Sequence, residues 1–171
     1  KMINVLVILN FFISFSVTVP LPYIINNLLN LSSNQYGIIQ GAFPVGMILG
    51  AVVVGRIIEK IDYMKLLIFS SITLSVAIAL LGLPLILADA SSLAYMIYYI
   101  SIMVIFGTAI SFIDVPILWL MQKSIPDNLR GKVLSISMSI VKLIAPVGLV
   151  ISGMIINSVP VYIMTFAGGG I

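Results

Sequence analysis

The sequence predicts an all-α integral membrane protein, a six-helix transmembrane bundle whose last helix is truncated. Of the 171 residues, 61% are apolar and only 8% are charged, whereas roughly 25% of the residues of a globular domain are charged. The mean hydropathy of +1.28 leaves too little polar surface to cover a water-facing exterior. Apolar stretches of about 20 residues, the length needed to cross a bilayer, also recur along the whole chain.

Six such stretches follow one another and form a single transmembrane domain over residues 1–171. The expected spans are 2–30, 35–55, 66–88, 93–121, 133–156 and, incompletely, 160–171. The last stretch covers about half a bilayer and the chain opens on Lys1, so we expect both ends to be cut. A signal peptide over the first 16 residues is the alternative at the start, although no small-residue cleavage site follows it.

The first span carries polar residues and prolines. Asn10, Ser14 and Thr18 recur at i, i+4 and i+8, which predicts a polar stripe on one helical face. Pro20 and Pro22 then break the helix and free carbonyl groups that lipid cannot satisfy. Two interpretations remain open: the stripe lines a cavity, or it forms a hydrogen-bonded contact with another helix.

The second span contains two pairs of glycines four residues apart, Gly37 with Gly41 and Gly46 with Gly50. Small residues at this spacing let two helix backbones approach closely, so we interpret both pairs as packing surfaces. Gln40, which lies beside the first pair, is a candidate for an amide that lines a cavity. Polar turns at 31–34, 89–92 and 125–128 separate the spans.

The basic residues predict the orientation of the bundle. Loops 56–65 and 122–132 hold three basic residues each, and with Lys1 they account for seven of the eight. The loops on the opposite side hold none. By the positive-inside rule, loops 56–65 and 122–132 are cytoplasmic. This asymmetry explains the pI of 9.3 without an anionic partner.

Asp114 and Lys142 lie inside the fourth and fifth predicted spans. Lys142 is about 16 Å from the cytoplasmic end of its span and Asp114 about 12 Å, so an ion pair between them is sterically possible. A charge at this depth costs about 2.5–3.5 kcal/mol on insertion scales. Three readings stay open: Asp114 caps a helix restarted at Pro116, the two form a structural pair, or they belong to a translocation pathway.

The sequence contains neither cysteine nor histidine. This excludes disulfides, cysteine or histidine ligands for zinc and haem, thiol nucleophiles and Ser-His catalysis. The charges are too sparse for a nucleic-acid-binding surface. We therefore expect no enzyme activity, no catalytic residues, no metal, no cofactor and no nucleic-acid partner.

Two predicted cytoplasmic loops carry a family resemblance. Residues 55–65, GRIIEKIDYMK, resemble the G-x-L-a-D-R-x-G-R-R loop of the major facilitator superfamily, in the degraded form typical of its second copy. Residues 122–133, QKSIPDNLRGKV, resemble the Q-x-x-x-P-x-x-x-R-G-R-V run between helices ten and eleven. Pro146, Gly148 and Gly153 continue the pattern of helix eleven. The chain is similar to the carboxy-terminal half, helices seven to twelve, most closely in the drug and macrolide exporter branch.

This resemblance implies one half of a twelve-helix fold that encloses a central cavity with an amino-terminal six-helix half. It implies a secondary active transporter, proton-coupled and exporting hydrophobic small molecules or drugs, in the plasma membrane of a bacterium. Its expected partners are a small-molecule substrate, protons, the lipid bilayer and the amino-terminal half. The residues expected along the substrate and proton pathway are Asn10, Ser14, Gln40, Asp114 and Lys142. Those expected in the gating loops are Gly55, Glu59, Lys60, Arg130 and Gly131.

Two other classes of protein fit part of the pattern. A complete six-helix substrate-binding membrane subunit of an ATP-driven vitamin importer has a similar length and helix count, but the short last span and the two loop signatures argue against it. A scaffolding membrane protein without transport is disfavoured by the charges inside the spans.

The orientation can be tested with single cysteines, because the chain contains none. We expect a membrane-impermeant thiol reagent applied to intact cells to label a cysteine placed at Ser91 and to leave one placed at Lys60 unlabelled, since position 60 belongs to the basic side. Labelling at position 60 without labelling at position 91 would reverse the topology.

Overall fold

The computed structural model describes residues 2–85 and 91–170, which are helical apart from short turns and contain no strand. The α-helices are α1 (Met2–Ile13), α2 (Pro20–Tyr23), α3 (Ser33–Ile57), α4 (Tyr63–Leu81), α5 (Ser92–Ser124), α6 (Asp127–Ile155) and α7 (Val161–Gly169). Five helical segments in these residues are long and apolar enough to cross a membrane. The predicted all-α membrane bundle is confirmed.

The first membrane segment, Ile3–Leu28, combines α-helical and π-helical turns. A π-helical stretch, Ser14–Thr18, separates α1 from α2, and a second, Ile24–Leu28, follows α2. Proline has no N–H to return to the preceding turn, and the widened turns lie directly around Pro20 and Pro22. The predicted break is therefore a change of helix type within one continuous segment.

Side-chain caps start α3, α4 and α5. The Ser32 hydroxyl accepts a hydrogen bond from the Gln35 N–H at 3.3 Å, and the Gln35 amide oxygen accepts one from the Ser32 N–H at 2.9 Å. These two bonds form a capping box at the start of α3. Asp62 and Ser91 cap α4 and α5 with one hydrogen bond each: Asp62 accepts from the Met64 N–H and Ser91 from the Ala94 N–H. Non-helical residues occur within the predicted turns 31–34 and 125–128, although α3 already begins at Ser33 and α6 at Asp127. Residues 86–90, with half of the predicted turn at 89–92, lie outside the described residues.

The second basic loop is shorter than the sequence suggests. We expected a loop over 122–132 and a fifth span from 133, but α5 extends to Ser124 and α6 begins at Asp127. Only Ile125 and Pro126 separate the two helices. Proline disfavours an α conformation in the residue before it, and Ile125 is indeed extended. The polar residues that follow Pro126 are compatible with a helix that projects from the membrane into water.

α5 is the central helix of the larger packing unit and contacts both α3 and α4, while α4 also contacts α7. The first membrane segment packs instead against α6, and its π-helical stretch also contacts α7. α5 is 33 residues long and supplies several fully buried side chains, among them Tyr99 and Ile113. Near the carboxy-terminal end of α5, the Lys123 ammonium lies 4.8 Å from the centre of the Trp119 ring. Lys123 is thereby held against an aromatic ring.

The contact between α3 and α5 depends on glycine. A Cβ atom on Gly46 would overlap the carbonyl group of Val104, and one on Gly107 would overlap that of Phe43. At this separation two α5 hydroxyl groups reach the α3 backbone. Thr108 Oγ1 donates to the Gly46 carbonyl at 3.1 Å, and Ser111 Oγ donates to the Met47 carbonyl at 2.8 Å. Close backbone approach and interhelical hydrogen bonds therefore join these helices.

The two glycine pairs of α3 differ in their surroundings. Gly46 and Gly50 are buried against α5, as their packing role requires. Gly37 and Gly41 have nothing within 4 Å of an added Cβ among the described residues. The packing expected of the first pair is therefore not formed by this part of the chain.

The replacement Gly46→Ala should destabilise the protein by about 1–3 kcal/mol, because the new methyl group would force α3 away from the Val104 carbonyl. Gly41→Ala on the same helix is the matched control, since its methyl group meets nothing. We expect the thermal unfolding midpoint of the purified full-length protein to fall for Gly46→Ala only. An equal fall for both variants would contradict the assigned helix contact.

Candidate functional site

α6 has one face turned into the bundle and one turned outward. The inward face consists of small or β-branched residues: Ser137, Val141, Gly148 and Ser152. The outward face carries a polar strip, which we define as Ser135, Ser139 and Lys142, spaced i, i+4 and i+7 and all exposed. The two faces meet along the edge of α6 that lies beside the first membrane segment.

The inward face of α6 holds the first membrane segment at its π-helical stretch. A Cβ on Gly148 would lie 2.8 Å from the Phe11 carbonyl oxygen and 3.1 Å from Ser14 Cβ. One helical turn further, Ser152 Oγ donates a hydrogen bond to the Phe15 carbonyl at 2.8 Å. Ser152 thus bonds a carbonyl in the turn before Pro20, whose ring nitrogen carries no hydrogen. The distorted segment is therefore anchored on α6.

The polar stripe predicted for the first span does not occupy one face. Ser14 is 7% exposed and packs on Gly148, whereas Thr18 is exposed. Thr18 Oγ1 donates to the Ile13 carbonyl five residues earlier at 3.4 Å. The i, i+4, i+8 spacing assumes a regular α-helix, and the wider π-helical turns rotate the later residues away. The two interpretations of the stripe are a cavity lining and a contact with another helix. Ser14 lies in a contact with another helix, α6.

Asn10 keeps a position beside the polar strip. Lys142 Nζ donates to Asn10 Oδ1 at 3.3 Å, and Asn10 Nδ2 donates to the Leu6 carbonyl at 3.0 Å. Lys142 is fifteen residues beyond Asp127, the first residue of α6, which is about 22 Å along the axis. The sequence estimate was about 16 Å because it placed Lys142 only about eleven residues into its span. The ammonium group is thus held by a neutral amide deep in the membrane.

Asp114 lies half-buried on α5, and α5 continues without interruption through Pro116. The interpretation of Asp114 as the cap of a restarted helix is therefore wrong. Within residues 2–85 and 91–170, the only ion pair within 4.0 Å joins Arg130 to Asp127, so Asp114 and Lys142 do not form the pair that we considered. The two groups still lie within electrostatic range of each other. The structure keeps them close but unpaired.

Gln40 is separate from this cluster. It is exposed on α3, beside the open Gly41, and makes no hydrogen bond to another described residue. The structure therefore brings together Asn10, Lys142 and, at longer range, Asp114, with Ser14 behind them in the helix contact and Gln40 apart.

The residues expected in the gating loops are all at the ends of helices. Gly55 is exposed on the last turns of α3, and Glu59 and Lys60 are exposed in the turn that follows. On the other loop, Arg130 Nη2 lies 2.5 Å from Asp127 Oδ1 in the first turns of α6. The unbonded N–H groups of a helix belong to its first four residues. Gly131 is the fifth residue of α6 and lies just beyond them.

Ser152 and the π-helical turns are the functional features that sequence reasoning missed. Gly148 and Ser152 are four residues apart on α6, a small-xxx-small spacing that signals close helix approach. That spacing could have identified the contact. The π-helical turns have no comparable signal beyond the prolines themselves.

The fold and the site define a multi-pass membrane protein with ionisable side chains at membrane depth. A family model described as Major Facilitator Superfamily matches residues 3–171. The chain belongs to this superfamily, whose members are transporters that move small molecules across membranes and are not enzymes. No curated protein and no solved structure matches the chain significantly. The alternative of an ATP-driven vitamin importer subunit finds no support in the family match.

The replacement Ser152→Ala should lower the stability of the protein by about 1 kcal/mol, because it removes the hydrogen bond to the Phe15 carbonyl. Ser139→Ala is the matched control on the same helix, since Ser139 bonds only within α6, to the Ser135 carbonyl. Thermal unfolding of the purified full-length protein measures both. A larger loss for Ser139→Ala would show that the contact with the first segment is not what Ser152 provides.

Proposed function

We propose that the chain is the carboxy-terminal half of a twelve-helix, proton-coupled exporter of hydrophobic small molecules, similar to the drug and macrolide branch. The observation that carries this proposal is the unpaired Asp114 within electrostatic range of a lysine that is held by an amide. Ionisable groups inside a membrane domain usually mark the path of a substrate or ion. A purely structural pair would make a direct ion pair, and this one does not.

Asp114 is the proposed proton carrier and Lys142 its responsive partner. A protonated Asp114 has no charge to attract the ammonium, so Lys142 remains on Asn10 of the first membrane segment. Loss of the proton creates a carboxylate that draws the ammonium away from Asn10, since opposite charges attract strongly where water is scarce. Protonation thereby changes a contact between two helices, as coupling requires.

The exposed polar faces support the assignment to one half of a larger transporter. The polar strip of α6 and the Gln40 amide of α3 are exposed in this chain. Lipid offers no hydrogen bonds to such groups, so the proposal places them against a water-filled cavity and the amino-terminal half. Gly55, Glu59, Lys60, Arg130 and Gly131 then belong to cytoplasmic gating loops of a protein in the bacterial plasma membrane.

The proposal is tested with Asp114→Asn, Lys142→Met and the double variant in the full-length protein. We expect the double variant to fold, to lose substrate transport driven by a proton gradient, and to retain passive substrate exchange, because exchange requires binding without protonation. Proton-driven uptake into inverted vesicles, purified yield and exchange at equal pH are the measurements.

The matched control is Asp62→Asn, which removes a carboxylate at the start of α4 while asparagine preserves the helix cap. Its gradient-driven transport should equal that of the unaltered protein. Full gradient-driven transport by a well-folded Asp114→Asn, Lys142→Met double variant would refute the coupling role.

A further inference from the structure

Lys142 has hydrogen-bond donors that Asn10 does not use. An ammonium group has three donors, and Asn10 Oδ1 is its one hydrogen-bond acceptor among the described residues. The acceptor is neutral, so the positive charge is not balanced at contact distance. The side chain is also exposed on the outward face of α6, so its remaining donors are open to a ligand.

The surface around Lys142 is strongly apolar beyond the polar strip. Leu143, the next residue, is 71% exposed, Pro146 is exposed one helical turn further on, and Val150, two turns further on, is 57% exposed. A ligand whose acidic group reaches Lys142 therefore finds apolar side chains along the same helix. Burial of its apolar part against them is favourable, by roughly 25 cal/mol for each Å² removed from water.

Asp114 on α5 changes the charge that an anion meets here. As a carboxylate within electrostatic range of Lys142 it offsets the positive charge of the lysine, and as a neutral acid it leaves that charge available. Away from the helix ends, these two are the charged side chains within the membrane segments of the described residues. The local charge is thus close to zero with Asp114 ionised and positive with Asp114 neutral.

We propose that the transport site takes an amphiphilic anion, with its acidic group on the Lys142 ammonium and its apolar body along the outward face of α6. This inference rests on the proposed transport function and names the class of its substrate. Charge-assisted hydrogen bonds between an ammonium and a carboxylate, sulfonate or phosphate are short and strong.

The test compares two fluorescent probes that share one apolar body: anilinonaphthalene sulfonate, which is anionic, and N-phenylnaphthylamine, which is neutral. Each is titrated into the full-length protein in phosphatidylcholine nanodiscs, and the signal from empty nanodiscs is subtracted. We expect saturable binding of both probes, with the anionic probe bound more tightly.

Three variants separate the charge from the surface. Lys142→Met should weaken binding of the anionic probe about tenfold and leave binding of the neutral probe unchanged, because a charged hydrogen bond is lost while the apolar contact remains. Asp114→Asn should raise the affinity for the anionic probe about threefold or more, since a nearby negative charge is removed. Lys132→Met, an exposed lysine in the second turn of α6, should change neither affinity.

Equal loss of both probes in Lys142→Met, or unchanged binding of both, would overturn the anion site. The proposed function fails differently, through absent gradient-driven uptake of any probe into inverted vesicles. Proton-driven transport of the neutral probe, without preference for the anionic one, would support the proposed exporter but refute the anionic substrate class. Lys142-dependent binding of the anionic probe without proton-driven transport would support the anion site and refute the proposed exporter.

Discussion

A membrane-spanning helix that contains proline must replace its lost backbone hydrogen bonds within the protein, because lipid supplies none. Pro20 and Pro22 impose this requirement on the first membrane segment, and the segment meets it with π-helical turns and with the Ser152 hydroxyl. The small side chain of Gly148 lets the two backbones come close enough for that bond. The position of the first segment against α6 follows from this requirement.

The polar cluster depends on the same contact. Once Phe11 and Phe15 are held against α6, Asn10 lies within reach of Lys142, and the lysine has a neutral partner at membrane depth. Asp114 lies half-buried on α5 and forms no ion pair within the described residues. The arrangement keeps a cation and an acid within range of each other on separate helices, so their interaction can change as the helices move.

Hydrophobicity predicted the fold class, and charge singled out Asp114 and Lys142 as candidates, because both signals follow from simple solvation physics. A long apolar stretch has to span a bilayer, and a charge inside it stands out without any knowledge of the fold. The detailed contacts depended on helix geometry that composition does not encode. The π-helical turns separated Ser14 from Thr18, and α6 begins at Asp127, six residues before the predicted span. α5 likewise continues through Pro116, although sequence patterns associate a proline with a helix break.

The contact between Trp119 and Lys123 has a consequence for access to the site. Tryptophan and lysine side chains settle at the headgroup region of a bilayer, so this pair fixes how far α5 can slide along the membrane normal. Asp114 precedes Trp119 by five residues, which is about 7.5 Å along the helix. On the predicted orientation, the carboxyl is therefore much nearer to the cytoplasmic water than to the external water. A short hydrated path from the cytoplasm is enough to reach it, whereas an external proton has to cross most of the bilayer thickness through the protein.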